Sequence, residues 1–163
     1  QLGLYFFIVI IYLIFKTGYV NIFIPIIVPL LIFLIANFKK FCFMGNNGSH
    51  FLGYLIAVFV IKFYNIDILL YVEQIMLLML VPGLDLVRLF FSRLLNNKKF
   101  FVSDLNHIHH ILSKNRSKFS VQLIILLMNI IPIFIGELTG SYLVGIIFGI
   151  LGYYLIIFKK VLI

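Results

Sequence analysis

The chain has 163 residues, of which 64% are apolar and only 11% are charged, and its mean hydropathy is +1.20. This composition excludes an ordinary soluble domain, which needs many more polar residues to cover its surface. A formal net charge of +8 would suit nucleic-acid binding, but membrane topology explains it better, so we expect no nucleic-acid partner. The single cysteine, Cys42, excludes an internal disulfide.

Six apolar runs follow one another along the chain, and most are near the length that a membrane span requires. They predict an all-α, polytopic transmembrane bundle of about six spans, with the loops on one face forming the site. The runs are 2–15, 19–38, 51–66, 68–84, 121–138 and 141–158. Pro25, Pro29 and Pro132 lie inside these runs, where neighbouring helices can satisfy the carbonyls that a proline leaves free.

The basic residues sort almost entirely onto one side of a six-span topology, and only Lys16 and Lys62 fall on the other side. By the positive-inside rule, the basic side is cytoplasmic. It receives Lys39, Lys40, Arg88, Arg93, Lys98, Lys99, Lys114, Arg116, Lys118, Lys159 and Lys160. We therefore expect a multi-pass membrane protein whose working face is cytoplasmic.

The beginning of the chain suggests a fragment. Residue 1 is Gln1 rather than methionine, and the first apolar run has neither the charged segment nor the cleavage site of a signal peptide. We expect residues 1–163 to form a single transmembrane domain, the C-terminal part of a longer protein.

The first polar segment, residues 43–50, leads directly into an apolar run. Its glycines flank Asn46 and Asn47, and a glycine-rich loop before a helix can direct several N–H groups at one phosphate. The alternative is a simple turn in which Asn and Ser cap the next helix. Both interpretations stay open on spacing alone.

The second polar segment is the long loop 85–119. Pro82 and Gly83 are predicted to end a span just before it, and residues 86–95 could continue as a helix at the membrane surface. We expect this loop to be cytoplasmic and to contain a histidine motif, residues 107–110.

Three of the four histidines of the chain lie close together, at His107, His109 and His110. On a helix, His107 and His110 would share a face with Asp104, while His109 would point elsewhere. Such a cluster suits metal ligation, diphosphate binding beside Arg and Lys, or general acid–base catalysis. The residues by themselves do not choose between these three chemistries.

Two blocks of the sequence resemble the polyprenyl-phosphate N-acetylhexosamine-1-phosphate transferases. The first reads Met44-Gly45-Asn46-Asn47-Gly48-Ser49, then Phe51-Leu52-Gly53, and is similar to the family motif MGDxGS…FLG. The second reads Pro82-Gly83-Leu84-Asp85, then Arg93, then Phe101-Val102-Ser103-Asp104-Leu105-Asn106-His107-Ile108-His109-His110, and is similar to PxxD…R…FSPDRxHxHH. The HIHH form resembles the bacterial enzymes that begin enterobacterial common antigen, O-antigen and teichoic acid linkage synthesis.

The resemblance implies transfer of a sugar 1-phosphate from a UDP-N-acetylhexosamine such as UDP-N-acetylglucosamine to a polyprenyl phosphate such as undecaprenyl phosphate, with release of UMP. It also implies magnesium or manganese as the cofactor, the bacterial cytoplasmic membrane as the location, and a homodimer as one assembly. The residues that match the substrate-binding positions are Asp104, His107, His109, His110, Arg93 and Ser49, and the residue that matches the metal position is Asn46. The catalytic residues themselves are unknown, because the aspartates of the family lie upstream of the matched region.

Asn46 departs from the family, which has an aspartate there, and a neutral amide is a poorer magnesium ligand. Asp85 could be catalytic or could only cap the interfacial helix, and Arg93 could bind substrate or only touch lipid phosphates. The alternative function is therefore an inactive homologue, or a half that depends on a partner chain for the missing acids.

Overall fold

The computed structural model describes residues 2–66, 69–95, 107–114 and 116–161. Within these ranges every regular element is an α-helix and no strand occurs, which confirms the all-α prediction. The helices of the described residues are α1 (Leu2–Thr17), α2 (Val20–Phe38), α3 (Gly45–Asn65), α4 (Val72–Leu78), α5 (Leu80–Leu95), α6 (Ile108–Ser113), α7 (Lys118–Thr139) and α8 (Tyr142–Val161).

Each of the six apolar runs overlaps a helix, but fewer helices are long and apolar enough to cross a membrane. Helices α2 and α7 are each long and apolar enough to cross a membrane, whereas α4 and α5 are so only when taken together as one bent span. Helix α1 and the apolar part of α8, Tyr142–Ile157, are shorter. Two or three candidate spans therefore indicate a membrane protein, and the count of six stays a prediction.

Large apolar side chains are exposed on many of these helices. Examples are Phe15 on α1, Phe134 on α7 and Leu155 on α8. Such surfaces are unfavourable in water and favourable in hydrocarbon. The exposed side chains therefore agree with the membrane environment that the composition predicts.

The first compact unit comprises residues up to Val72 and contains α1, α2 and α3. Phe23 of α2 packs against Phe59 and Phe63 of α3, with ring centroids 5.0 and 6.0 Å away. In the same unit, an apolar groove of about 400 Å³ lies between α2 and the start of α3. Its walls include Pro25 and Pro29 of α2, which remain inside a continuous helix.

The break between α4 and α5 differs from the predicted end of a span. The two helices meet at Met79 with a bend of 66°, whereas Pro82 and Gly83 lie inside α5. Pro82 has no N–H to donate to the carbonyl of Leu78, and its ring crowds that carbonyl. The helix therefore breaks before the proline, and α5 then continues without interruption to Leu95.

The second compact unit comprises Glu73–Ile163, and its closest packing is between α7 and α8. A Cβ added to Gly145 of α8 would lie 2.5 Å from the carbonyl oxygen of Pro132 on α7. Real Cβ atoms essentially never approach backbone so closely, so only glycine fits at this crossing. Small residues that let two helix backbones approach are typical of packing in membranes.

Gln74 and Tyr142 form a buried polar contact in the same unit. Gln74 of α4 is 1% exposed, and its Nε2 donates to the Tyr142 hydroxyl oxygen at 2.7 Å. The contact joins α4 to the start of α8 and satisfies an amide that would otherwise be costly to bury.

Candidate functional site

The carboxylate of Asp85 is the centre of the candidate site. Asp85 lies in the second turn of α5 and is only 7% exposed, so its charge must be compensated by neighbouring groups. Four such groups come from three helices: the Arg88 guanidinium, the Tyr153 hydroxyl, the His107 imidazole and the Ile108 N–H.

Arg88 and Tyr153 both bind the Oδ1 atom of Asp85. Arg88, one turn further along α5, donates from Nη2 at 2.8 Å, and Tyr153 of α8 donates its hydroxyl at 3.1 Å. Arg88 also donates from Nε to the Tyr153 hydroxyl oxygen at 3.1 Å. The three side chains therefore close a ring of hydrogen bonds in which each member fixes the other two.

His107 and the beginning of α6 occupy the other side of the carboxylate. The Nδ1 atom of His107 lies 3.0 Å from Asp85 Oδ2, and the Ile108 N–H donates to Oδ1 at 3.2 Å. His107 is the N-cap residue of α6, and its own side chain makes no capping bond. Asp85 therefore caps α6 from a different helix, where its negative charge is favourable. The sequence predicted that Asp85 could cap the interfacial helix that follows it, residues 86–95. In the structure Asp85 lies inside that helix and caps α6 instead.

The three imidazoles form one cluster. The ring centroids of His107 and His109 are 5.7 Å apart with an interplanar angle of 16°, and those of His109 and His110 are 4.1 Å apart. The predicted arrangement, with His109 pointing elsewhere, is therefore wrong, because α6 begins only after His107. Burial of His109 and the nearby imidazoles of His110 and His107 lower the pKa of His109 to about 4. His109 is therefore neutral at pH 7.

Asn46 and Ser49 lie in the first unit, and both belong to a helix rather than to a loop. Helix α3 begins at Gly45, and the Ser49 hydroxyl donates to the Asn46 carbonyl oxygen at 2.8 Å. The prediction of a glycine-rich loop over residues 43–50 is thus wrong for residues 45–50. Capping by Asn or Ser is also absent, since the N-cap residue is Met44 and has no side-chain cap bond.

The remaining predicted residues are placed as follows. Arg93 is half-buried near the end of α5, and Asp104 lies outside the described residues.

Among the residues that the structure describes, no group of three or more His, Cys, Asp or Glu side chains could hold a metal ion. The Asp85 carboxylate is engaged by protein donors and Asn46 is neutral, so these two residues do not fit magnesium as they are arranged here.

Arg88 and Tyr153 were not predicted as site residues. One feature of the sequence could have predicted Arg88: on a helix, a cation three residues after Asp85 lies on the same face as the carboxylate. No feature of the sequence predicts Tyr153, because it lies 68 residues from Asp85 and inside an apolar run.

Comparison with known proteins finds no match to a family model, to a curated protein or to a solved structure. The site consists of a buried carboxylate, a guanidinium and a hydroxyl that hold it, and a partly exposed imidazole beside it. A carboxylate on one ring nitrogen of a histidine is the usual way to fix that ring for proton transfer or for binding an anion.

Proposed function

We propose that the chain takes part in the transfer of an N-acetylhexosamine 1-phosphate from a UDP-sugar to a polyprenyl phosphate, with release of UMP. The observation that supports this proposal is the contact between Asp85 and His107. These residues come from separate parts of the motif, 22 positions apart, and the resemblance implies that both belong to one site.

In this proposal, His107 meets the diphosphate of the nucleotide sugar. Its Nδ1 faces Asp85, so the opposite nitrogen, Nε2, is turned away from the carboxylate, and the side chain is 46% exposed. A protonated His107 would donate from Nε2 to a phosphate oxygen while Asp85 balances the positive charge. His109 and His110 would border the same ligand.

The transfer itself is a displacement at phosphorus. An oxygen of the polyprenyl phosphate forms a bond to the phosphorus attached to the sugar, the bond from that phosphorus to the bridging oxygen breaks, and UMP leaves with the electron pair. Magnesium or manganese would neutralise charge on the diphosphate, as the resemblance implies. We assign no step to the metal.

The lipid substrate needs an apolar surface that is open to the bilayer. The groove of the first unit is lined by apolar side chains of α2 and α3 and also by Gly48, in the same helical turn as Asn46 and Ser49. An isoprenoid chain in this groove would bring its phosphate to the first turn of α3, where the helix dipole favours an anion. Ser49 lies in this turn, so it would contact the phosphate of the lipid.

The proposal is tested by UMP release from UDP-N-acetylglucosamine, measured with undecaprenyl phosphate, magnesium and the full-length protein in detergent. His107→Gln should lower the rate on the order of 100-fold, the scale of a lost proton-transfer or charge-stabilising group. His50→Gln is the matched control, because His50 is an exposed histidine at the start of α3. Equal rates for the two variants would contradict the role of His107.

Asn46 favours a second candidate, a homologue or partner-dependent half that does not catalyse transfer by itself. Its amide replaces the carboxylate that the resemblance implies for the metal. If the wild-type protein releases no UMP and Asn46→Asp restores release, the second candidate is correct. If neither the wild-type protein nor Asn46→Asp releases UMP, the transferase proposal fails.

A further inference from the structure

Tyr153 and His107 contact opposite oxygens of the same carboxylate, that of Asp85. The side-chain partners of Asp85 are divided between its two oxygens: Oδ1 binds Arg88 and Tyr153, while Oδ2 faces His107. The Ile108 N–H lies 3.2 Å from Oδ1 and 3.4 Å from Oδ2. Two side-chain donors on Oδ1 prevent the carboxylate from rotating. The oxygen that meets the imidazole is therefore chosen by groups on the far side of the carboxylate.

The direction of the Tyr153 hydroxyl proton follows from its neighbours. Arg88 is a donor only, so the Tyr153 oxygen must accept from Arg88 Nε. The hydroxyl proton is then left to point at Asp85 Oδ1. The Tyr153 side chain is 1% exposed and packs in a core cluster with Val81 of α5, Ile108 and Leu112 of α6, and Val121 and Met128 of α7. Packing among side chains of three other helices therefore holds the Tyr153 ring, and with it the hydroxyl, in place.

We infer that Tyr153 is a positioning residue that, through Asp85, fixes the ring orientation and the proton of His107. With Asp85 held, neutral His107 keeps its proton on Nδ1, so Nε2 is the nitrogen that takes up a second proton and then donates to the ligand. Without the Tyr153 hydroxyl, Oδ1 keeps only Arg88 and the Ile108 N–H, so the carboxylate is held less firmly and His107 populates both tautomers and more than one ring orientation. The consequence for transfer rests on the proposed function, whereas the consequence for the His107 ring does not.

The test is nitrogen NMR of the full-length protein labelled at histidine, at an alkaline pH at which the His107 nitrogen shifts themselves show a neutral ring. The His107 signals, assigned with His107→Gln, should show the Nδ1–H tautomer in the wild type. Tyr153→Phe removes only the hydroxyl and should give a mixture of tautomers. Tyr154→Phe is the matched control, because the neighbouring tyrosine is exposed, and it should leave the spectrum unchanged.

Kinetics give the second readout. Tyr153→Phe should lower kcat about ten-fold, the lower end of what loss of a supporting hydrogen bond costs, with KM for the UDP-sugar little changed. A wild-type spectrum in Tyr153→Phe overturns the inference even if UMP release is normal. A changed spectrum with unchanged kcat overturns its catalytic consequence. If no protein releases UMP but the spectra behave as expected, the proposed function fails and the positioning of His107 stands.

A variant that does not fold would still leave a decisive measurement on the wild-type protein. The inference requires the neutral His107 ring to be protonated on Nδ1, next to Asp85. A wild-type ring protonated on Nε2 would overturn it without any substitution.

Discussion

Substitution of Gly145 by alanine tests the α7–α8 packing, and thereby the position of the helix that bears Tyr153. The new Cβ would lie 2.5 Å from the Pro132 carbonyl oxygen and 3.2 Å from the Gly136 backbone nitrogen. Both neighbours are backbone atoms of α7, which cannot rotate aside as a side chain can. Ordinary contact begins at 3.4 Å, so α8 must move away by roughly 1 Å and lose dispersion contacts along the crossing.

Overpacking of this kind costs about 1–3 kcal/mol in the free energy of unfolding. Gly152→Ala is a control on the same helix, because a Cβ there meets nothing within 4 Å. Alanine should stabilise that position by about 0.5–1 kcal/mol through its helix propensity. The two variants carry the same chemical change and should shift stability in opposite directions.

The assay is the midpoint of SDS-induced unfolding in mixed micelles, followed by circular dichroism. Gly145→Ala should lower the midpoint, and Gly152→Ala should leave it unchanged or raise it. The packing described for α7 and α8 would be refuted if Gly145→Ala were as stable as Gly152→Ala.

Two further predictions concern His109 and Tyr142. The folded pKa of His109, about 4, is lower than its ordinary value of 6.5, so the unfolded chain binds the proton more readily between these values and stability should fall as the pH falls from 6.5 to 4. Unfolding midpoints at several pH values should show a smaller fall for His109→Gln than for the wild type, and an equal fall would contradict the burial of His109. Tyr142→Phe removes the acceptor of the Gln74 amide and should lower stability by about 1–3 kcal/mol. Tyr154→Phe should change it by less than about 0.5 kcal/mol in the same unfolding assay.

The helices could be predicted from the sequence because apolar runs bounded by polar residues determine both where a helix forms and how long it is. The breaks were harder to place. Pro82 marks a discontinuity, but its steric effect falls on the preceding turn, so the helix bends at Met79 rather than at the proline.

The start of α3 shows the limit of composition as a guide. Glycine and asparagine at residues 45–48 favour a loop by intrinsic propensity, yet these residues continue the long apolar helix toward its N-terminus. Cooperative extension of a helix that already exists costs less than beginning a new one.

The candidate site could be predicted only where its contacts are local or its residues are chemically rare. A cluster of three histidines is visible in any reading of the sequence, and Arg88 lies one turn from Asp85. The contacts of Asp85 with His107 and Tyr153 span 22 and 68 residues, and no periodicity in the sequence specifies them. Tyr153 looks like one more aromatic residue in an apolar helix until the fold brings it to the carboxylate.

The ring formed by Asp85, Arg88 and Tyr153 also has a consequence for the order in which the protein is made. The ribosome delivers α5 and α6 before α8, at roughly 5–20 residues per second. Until Tyr153 has been synthesised, the nascent chain has only the two members of the ring that lie on α5, Asp85 and Arg88. Helix α8 thus completes the site after α5 and α6 have been made, and a nascent chain whose α8 fails to pack would leave the Asp85 carboxylate without the Tyr153 donor.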